Sequence, residues 1–448
     1  MNKYIFLFTT IIFFASCGDG SEPDSTSSGD STTIGDTTNV NTNIQSDSLP
    51  PPFATKSVKK FGNVIGWPDG KTPIAPAGFS VTKFADGLKN PRWIYIAPNG
   101  DILVSEANTE ASGVKKIEAV ASGKANSQQM DESANRITLF RDTNSDGTID
   151  LRSIFLENLN QPFGMLILKN SFYVANTDGL HQYPYESGQV VIKAAGKRIL
   201  ELPAGGYNNH WTRNIIANKD GSKIYIAVGS ASNVGENGME HEVRRANILE
   251  ISPDGSGERI YASGLRNPVG MGWAPGTTTL FTAVNERDEL GDELVPDYLT
   301  SVKEGGFYGW PYAYFGQNED PRRKGENPQL VQQTIIPDVK LGSHTASLGL
   351  AFYDKKKFPQ RYHNGAFIGQ HGSWNRSQLV GYKVVFVPFS NGKPSGPPED
   401  FLTGFIADLA KGDVYGRPVG VAVLPDGNLL VADDTSNTIW RVAVANQP

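Results

Sequence analysis

The chain has 448 residues, a single cysteine and a net charge of −6, and charged residues make up 20% of it. A lone cysteine excludes an internal disulfide bond and any zinc or iron–sulfur site built from several cysteines. Because there is no basic excess to pair with phosphates, nucleic acid is not expected as a partner. The length allows two or three ordinary domains or one large all-β domain.

The first 17 residues, MNKYIFLFTTIIFFASC, are predicted to be a signal peptide of the lipoprotein type. Lys3 precedes an apolar run, residues 4–15, that is shorter than the roughly 20 residues a membrane-spanning helix needs. Two small residues then lead into Cys17, in a pattern that resembles the bacterial lipobox. The resemblance implies that Cys17 becomes the lipidated N-terminus. The alternative is an ordinary cleaved signal with an incidental cysteine.

This signal sets the expected location of the protein. A lipidated Cys17 would be its only contact with a membrane, as in a periplasmic or cell-surface lipoprotein. Gly18, rather than an aspartate, follows the cysteine, which favours the outer membrane of a Gram-negative cell.

Residues 18–57 are predicted to be a disordered tether. They are rich in Ser, Thr, Asn and Asp, with too few apolar residues to offset the chain entropy lost on folding. The first 57 residues carry six acids and two lysines, so they account for four of the six net negative charges. The body, residues 58–448, is therefore nearly neutral.

The body is predicted to be all-β. Short apolar or alternating runs are separated by PDG, PNG, KDG and NG turns, and no stretch has a long helical period. One unit of strand, turn and strand recurs six times, starting at Gly87, Asn158, His210, Gly264, Ser347 and Gly416. Because radial repetition leaves few exposed sheet edges, the repeats predict a six-bladed β-propeller with about four strands per blade.

There are two alternatives to a six-bladed propeller, and the sequence argues against only one of them. A ring of seven or eight blades with one degenerate blade stays open, whereas tandem immunoglobulin-like domains lack the Cys–Trp–Cys spacing. The segment FSVTKFADGL, residues 79–88, is expected to close the ring by pairing with the last blade, which ends at TIWRVAVAN. The extra length in residues 110–136 and 288–337 is expected to form loops that build the active face.

Histidines and arginines recur where the repeats begin. His210, in GGYNNHWTRN, directly precedes a first strand and is a candidate general base; the alternative is an ordinary hydrogen-bonded loop histidine. His344 and His371 stand at comparable positions, but no HxH or HExxH spacing supports a histidine metal site. Arginines at repeat starts would either converge on an anion or pair with carboxylates of the next blade, and they are Arg92, Arg213, Arg266, Arg376 and Arg417.

Two acidic segments suggest calcium. NERDELGDE, residues 285–293, holds five carboxylates, a density of oxygen ligands that suits calcium, although a solvated acidic loop has the same composition. RDTNSDGTID, residues 141–150, resembles a calcium loop but lacks the final glutamate, so a hairpin turn is favoured. GxSxG, GxGxxG, P-loop and CxxC patterns are absent, so serine hydrolase, nicotinamide and ATP chemistry lack support.

Several segments taken together resemble the sorbosone/glucose dehydrogenase family. They are GLRNPVGMGW, NERDELGDE followed by GGFYGWPYAYFG, HWTRN, HGSWNR and YGRPVGVAVLPDGNLLVADD. Members of this family are soluble or lipid-anchored sugar dehydrogenases on six-bladed propellers that depend on pyrroloquinoline quinone (PQQ). The similarity spans residues 75–443, and NERDELGD, HGSWNR and SHTASLGL favour the sorbosone branch. It implies a sugar substrate, PQQ and Ca²⁺ as cofactors and an external electron acceptor.

The resemblance also implies roles for single residues. His210 matches the base that takes the proton from the anomeric hydroxyl while hydride passes to the quinone. The implied PQQ-binding residues are Gln161, Arg266, Asn267, His344, Arg376 and Arg417, with Arg266 and Asn267 at the quinone carbonyls and Arg376 and Arg417 at the carboxylates. The implied calcium ligands are Arg287 and Asp288, where the glucose branch supplies backbone oxygens, and the acidic Asp292 and Glu293.

Two departures from the glucose branch leave the sugar open. Asn209 stands where that branch has an aspartate, and Arg376 stands near a lysine position. Two other functions stay open at this stage. One is a calcium-dependent lactonase on a similar propeller, which needs a central calcium held by side chains. The other is a non-catalytic binding propeller.

Overall fold

The computed structural model describes residues 48–110, 113–130, 132–144 and 146–445. The predicted signal peptide and residues 18–47 of the predicted tether lie outside the described residues. In the part of the chain that is described, no helix is long and apolar enough to cross a membrane.

Six four-stranded antiparallel sheets, numbered here in chain order, make up most of the described chain. Sheet 1 contains Pro91–Ile96, Ile102–Glu106, Arg136–Arg141 and Leu151–Leu156. Sheet 2 contains Met165–Leu168, Ser171–Asn176, Gly179–Pro184 and Lys197–Glu201. Sheet 3 contains Arg213–Ala217, Ile224–Val228, Asn247–Ile251 and Arg259–Ser263. Sheet 4 contains Pro268–Trp273, Leu280–Val284, Pro296–Ser301 and Val339–Ser343. Sheet 5 contains Ser347–Phe352, Ala366–Gln370, Lys383–Val387 and Glu399–Leu402. Sheet 6 contains Pro418–Val423, Leu429–Asp433, Thr438–Val444 and Phe79–Ala85.

Sheet 6 joins the two ends of the body. Its outer strand, Phe79–Ala85, pairs antiparallel with Thr438–Val444, with Phe79 opposite Val444. This pairing confirms the expected closure by the segment at residues 79–88. The last strand of the chain, Thr438–Val444, is therefore paired on both sides, and the two ends of the body are held in one sheet.

The sheets follow one another in a closed cycle. The first strands of successive sheets contact one another from sheet 2 to sheet 6 and on to sheet 1. Buried apolar clusters lie between sheets 1 and 2, 2 and 3, 3 and 4, 4 and 5, and 5 and 6. A sixth cluster lies between sheets 6 and 1 and includes Leu430 and Ile102. The all-β prediction is confirmed, and the described residues contain six four-stranded sheets.

Burial explains why the second strands are nearly continuous apolar runs. Ile224–Val228 and Leu280–Val284 are buried at every residue, because each sheet is covered on both faces by its neighbours. The turns that follow first strands contain the predicted glycines. Gly100 of PNG and Gly427 of PDG adopt φ of 90° and 84°, a region that favours glycine.

The expected long loops contain the helices and small hairpins. Residues 110–136 contain the helices Val114–Ala121 and Lys124–Gln128. Residues 288–337 contain the hairpin Ala313–Tyr314 with Asn318–Glu319, the 3₁₀ turn Pro321–Arg323 and the helix Pro328–Gln333. The remaining short elements are the 3₁₀ turns Met239–Glu242 and Gln360–Tyr362, the hairpin Phe389–Ser390 with Lys393–Pro394, and a small sheet of Asn63–Val64, Asp413–Val414 and Ile406–Asp408.

Candidate active site

A cavity of about 180 Å³ lies where the first strands of the sheets begin. Its lining comes mostly from residues just before a first strand or just after a second strand. Since these two strands are antiparallel, both positions lie at the same end of a sheet. Its polar lining includes Arg92, His210, Arg266, Asn267, Asp288, His344, His371 and Arg417. The cavity thus collects the three histidines and three of the five arginines that were predicted at repeat starts. The prediction was wrong in placing His371 there, since it directly follows the second strand of sheet 5, Ala366–Gln370.

His210 is held in one orientation by the backbone of sheet 3. It is 9% exposed, and its Nδ1 lies 2.8 Å from the carbonyl oxygen of Ser230, just past the second strand. A carbonyl only accepts, so Nδ1 carries the hydrogen and Nε2 carries the lone pair of the neutral ring. Burial, and then the charge of Arg266, hold the pKa of His210 well below its usual value of 6.5. His210 is therefore a neutral imidazole with a basic nitrogen at pH 7.

Arg266 and Asn267 lie beside His210 at the start of sheet 4. Arg266 is 2% exposed and donates to the carbonyl oxygens of Glu286, at 2.6 Å, and Asn233, at 3.1 Å. Asn267 is 4% exposed, and its Oδ1 has no hydrogen-bond partner among the described residues. This buried acceptor, in the wall of a cavity, marks a place where a donor is missing.

His344 and Asp288 form an ion pair in the same wall. Nδ1 of His344 lies 3.1 Å from Asp288 Oδ1, and Nε2 lies 2.8 Å from the carbonyl oxygen of Gly291. Both partners only accept, so both ring nitrogens carry hydrogen. Burial alone would lower the pKa of His344, but the hydrogen bond and charge of Asp288 raise it above its usual value. His344 is therefore a positioned cation, and its nitrogens are not available as metal ligands.

A second charge cluster lies across the cavity. Nε2 of His371 lies 2.9 Å from Asp434 Oδ1, and Asp434 also pairs with Arg92. Burial and the charge of Arg417 lower the pKa of His371 to about 4, so this ring is neutral at pH 7. Although burial opposes it, the charge that His371 gains when it is protonated in acid and the charge of Arg92 lower the pKa of Asp434 to about 2. One ionised carboxylate therefore lies among the guanidinium groups of Arg92 and Arg417.

Arg417 has no carboxylate partner within the described part of the chain. It is 3% exposed and donates to the carbonyl oxygens of His371, Gly372 and Ser127 at 2.8–2.9 Å. Ser127 belongs to the helix Lys124–Gln128, so the inserted loop helps to hold this arginine. A buried guanidinium bound only by neutral oxygens leaves an excess positive charge in the cavity wall.

Gln161 lies in the wall of a second, larger cavity that adjoins the first. That cavity measures about 1310 Å³ and shares six lining residues with the smaller one. Gln161 is 8% exposed, and its Nε2 donates to the carbonyl oxygen of Asn108 at 2.7 Å. The structure thus places Gln161 on the outer side of the site rather than beside Arg266 and Asn267.

Four predicted site residues do not line either cavity. Arg287 is fully buried between Glu286 and Asp320. Arg376 pairs with Glu293 and donates to the backbone oxygen of Asp292. The Asp292 carboxylate accepts hydrogen bonds from the backbone and hydroxyl of Ser377.

The predicted calcium ligands do not form a side-chain cluster, and the use of backbone oxygens of Arg287 and Asp288 stays a prediction. Within the described residues, no group of three or more His, Cys, Asp or Glu side chains could hold a metal ion. Four of the five carboxylates of NERDELGDE are engaged by arginines, a histidine, a hydroxyl and backbone amides. Residues 142–144 and 146–150 lie between two strands of sheet 1, and Asp142 accepts a hydrogen bond from the amide of Gly147 at 2.7 Å.

Two residues that follow second strands were not predicted from the sequence, although His371 and Asp288, which also follow second strands, were. Asp434 comes directly after Leu429–Asp433, and Ser230 comes two residues after Ile224–Val228. Residues before first strands could be predicted, because the repeats mark where each first strand begins. Polar residues one to four positions after a buried second strand are the corresponding signal at the same end of each sheet.

Comparisons with known proteins were consistent in both sequence and fold. The TrAA12-like family profile matches residues 73–304 and 307–445. An uncharacterized protein of Borreliella burgdorferi is 32% identical over 386 residues, which cover 82% of this chain and 89% of that protein. An aldose sugar dehydrogenase of Escherichia coli K12 is 34% identical over 204 residues, covering 44% of this chain and 47% of that protein. The holo form of the pyranose dehydrogenase PQQ domain from Coprinopsis cinerea has the same fold, with a TM-score of 0.65 and 19% identity over 86% of this chain and 100% of that chain.

Proposed function

This chain belongs to the TrAA12-like family, and we propose that it is a PQQ-dependent dehydrogenase of an aldose or related sugar aldehyde. In this proposal the substrate gives up a hydride to PQQ while His210 takes the proton as general base. The six sheets would be the blades of a six-bladed propeller. An external acceptor would then remove the electrons.

One observation carries the proposal, namely the position of the lone pair of His210. Nδ1 is committed to Ser230, so the basic Nε2 is the nitrogen left to act in the cavity. The same cavity is lined by Arg266, Asn267 and Arg417. A neutral base beside buried cations is the arrangement needed to remove a proton next to a bound anionic group.

The charges of the cavity wall fit a group that carries carboxylates, as PQQ does. Asp288 is balanced by Arg266 and His344, and Asp434 is balanced by Arg92. Arg417 is then left without a carboxylate, and a bound carboxylate would neutralise it. The Oδ1 of Asn267, which is unpaired among the described residues, is an acceptor that a hydroxyl of the sugar could satisfy.

The residues present suggest a division of labour. When bound, PQQ supplies an ortho-quinone that accepts the hydride. His210 would accept the proton of the hydroxyl at the reacting carbon, and Arg266 and Asn267 would orient the reacting groups. Asp288 fixes Arg266, with 3.3 Å between Oδ2 and the guanidinium, and so acts as a positioning residue.

Calcium does not enter this scheme through the predicted side chains. Asp288 is the carboxylate in the lining of the inner cavity, and it is already engaged by two cations. No step is therefore assigned to calcium. The lactonase alternative, which needs a central calcium held by side chains, has no such cluster in the described residues to support it.

The proposed location rests on the sequence. The predicted signal peptide and the lipidated Cys17 lie outside the described residues, and a periplasmic or cell-surface lipoprotein stays part of the proposal. It is supported by the apolar run before Cys17 and by the polar segment after it.

The direct test of the function is turnover. Purified chain incubated with PQQ should reduce an artificial dye when aldoses are added, and chain without PQQ should not. A folded, PQQ-treated chain that reduces no dye with any aldose would contradict the proposal. Hydrolysis of lactones without PQQ would favour the lactonase.

A further inference from the structure

The segment before the first sheet lies across the loops that border the site. Residues 53–60 are tied to the loop after the second strand of sheet 4, through Phe53 N to Leu290 O at 2.8 Å and Asp292 N to Thr55 Oγ1 at 2.7 Å. The amide of Lys60 then donates to the carbonyl oxygen of Trp374 at 2.8 Å. We name residues 53–61 the strap. Sequence analysis placed most of it in the tether.

The strap ends in an aromatic pair at the site. The rings of Phe61 and Trp374 are stacked, with centroids 5.6 Å apart and planes inclined by 9°. Trp374 follows the second strand of sheet 5, in the same loop as His371. The match to the family begins at residue 73, so Phe61 lies outside the matched region, whereas Trp374 lies inside it.

The pair stands where the two cavities adjoin. The six residues that line both cavities are Phe61, Thr109, Lys124, Asn209, Trp211 and Trp374. Half of these are aromatic, and Trp211 is fixed by a 3.0 Å hydrogen bond from its Nε1 to Thr109. A molecule that reaches His210 from the outer cavity must therefore pass Phe61 and Trp374.

Aromatic walls with a few polar groups are suited to one class of ligand. A sugar ring presents an apolar face of C–H groups and a rim of hydroxyls, and the apolar face packs well on an aromatic plane. Asn209 and Thr109, in the same neck, can meet the rim with hydrogen bonds. An open-chain aldehyde would leave most of this aromatic surface uncovered.

We propose that Phe61, held on Trp374 by the strap, is a substrate-positioning residue that makes the site select ring-form sugars. This inference rests on the proposed function and adds a specificity residue to it. Phe61 acts on the sugar and not on the cofactor, so its removal should weaken sugar binding without weakening PQQ binding.

The experiment compares Phe61→Ala with Phe53→Ala in the full chain. Phe53 lies on the same strap but is 56% exposed and lines neither cavity, so it is the matched control. Four quantities are measured. They are KM and kcat for a panel of ring sugars in PQQ-loaded enzyme, the Kd of PQQ, and the Kd of a methyl glycoside by calorimetry with and without PQQ.

For Phe61→Ala we expect both KM and the glycoside Kd to rise by about tenfold, with kcat and the PQQ Kd changed by less than about threefold. Phe53→Ala should match the unaltered chain, and Phe61→Tyr, which keeps the ring, should stay within about threefold. If Phe61→Ala does not fold, Phe61→Leu replaces it, with the same expectation.

Three results would overturn the inference: an unchanged glycoside Kd in Phe61→Ala, a PQQ Kd that rises as much as KM, or no glycoside binding to the unaltered chain. Failure of the proposed function is distinguishable. In that case PQQ does not bind, while the calorimetric comparison of the variants without PQQ still tests Phe61.

Discussion

Nδ1 of His210 lies 2.8 Å from the backbone oxygen of Ser230, and this contact leaves Nε2 as the nitrogen able to take up a proton. Because the partner is a backbone carbonyl, no side chain has to change its charge to keep the ring in this tautomer. Burial and Arg266 keep the pKa of the ring well below 6.5. The base is therefore ready at neutral and mildly acidic pH.

Replacing His210 should abolish turnover but keep the cofactor. We expect His210→Gln to lower kcat by about a hundredfold or more, the range of general base catalysis, with the PQQ Kd nearly unchanged. Dye reduction and PQQ titration of the same preparation measure the two quantities. His241→Gln, at a side chain that is 62% exposed, is the control and should behave as the unaltered chain. Undiminished turnover in His210→Gln would remove His210 from the proposed chemistry.

The room between His210 and Asn267 depends on a glycine. A Cβ added at Gly229 would lie 2.4 Å from Asn267 Oδ1 and 2.6 Å from His210 Cβ. Gly229→Ala should therefore displace both residues and lower kcat strongly, at a cost in stability of about 1–3 kcal/mol. Gly205→Ala is the control, since its Cβ would meet nothing within 4 Å. Equal activity of the two variants would contradict the packing described.

The structure separates two arginines that sequence analysis placed together at the PQQ carboxylates. Arg417 lines the cavity, whereas Arg376 pairs with Glu293 outside it. We expect Arg417→Met to raise the PQQ Kd by about ten- to hundredfold and Arg376→Met by less than about twofold. Arg417→Lys keeps a charge and should lie between them. Similar rises of the PQQ Kd in Arg417→Met and Arg376→Met, measured by fluorescence titration, would instead support the assignment made from sequence, in which both arginines bind the carboxylates.

Protonation of His371 should destabilise the fold in mild acid. Its pKa is about 4 when folded and near 6.5 when unfolded, so between these values the unfolded chain binds a proton that the folded chain does not. Stability due to this group therefore falls as pH falls from 6.5 to 4. The loss at pH 5 relative to pH 7 should be about 2 kcal/mol.

His371→Gln should remove this part of the pH dependence. Urea unfolding at pH 5 and pH 7 gives the difference between the variant and the unaltered chain, with exposed His241→Gln as the control. A pH dependence in His371→Gln equal to that of the unaltered chain would mean that burial and the charges of Arg417 and Arg92 do not hold His371 neutral as described.

The parts of the fold that could be predicted are those written locally in the chain. Each repeat has a buried strand and a turn, which contains a glycine in most repeats, as at Gly100 and Gly427, so the six sheets could be found from these signals. His210, Arg266 and Arg417 could be placed at one end because each stands just before a first strand or at its start. The closing strand followed from its position before the first repeat.

The parts that could not be predicted depend on which way a side chain points and on pairing between residues far apart in the chain. A dense acidic segment does not reveal that Glu293 turns to Arg376, or that Glu286 and Asp320 enclose Arg287. Asp434 meets Arg92 from more than 300 positions away along the chain. The packing of Phe61 on Trp374 likewise unites two distant segments.

A titration of the cofactor-free chain with PQQ tests the central claim most directly. We expect saturable binding of one PQQ per chain with a micromolar or tighter Kd, seen as a change in PQQ absorbance, and weaker binding by Arg417→Met. The bound complex should then reduce a dye when an aldose is added. A folded chain that leaves the PQQ spectrum unchanged at micromolar concentrations would contradict the account.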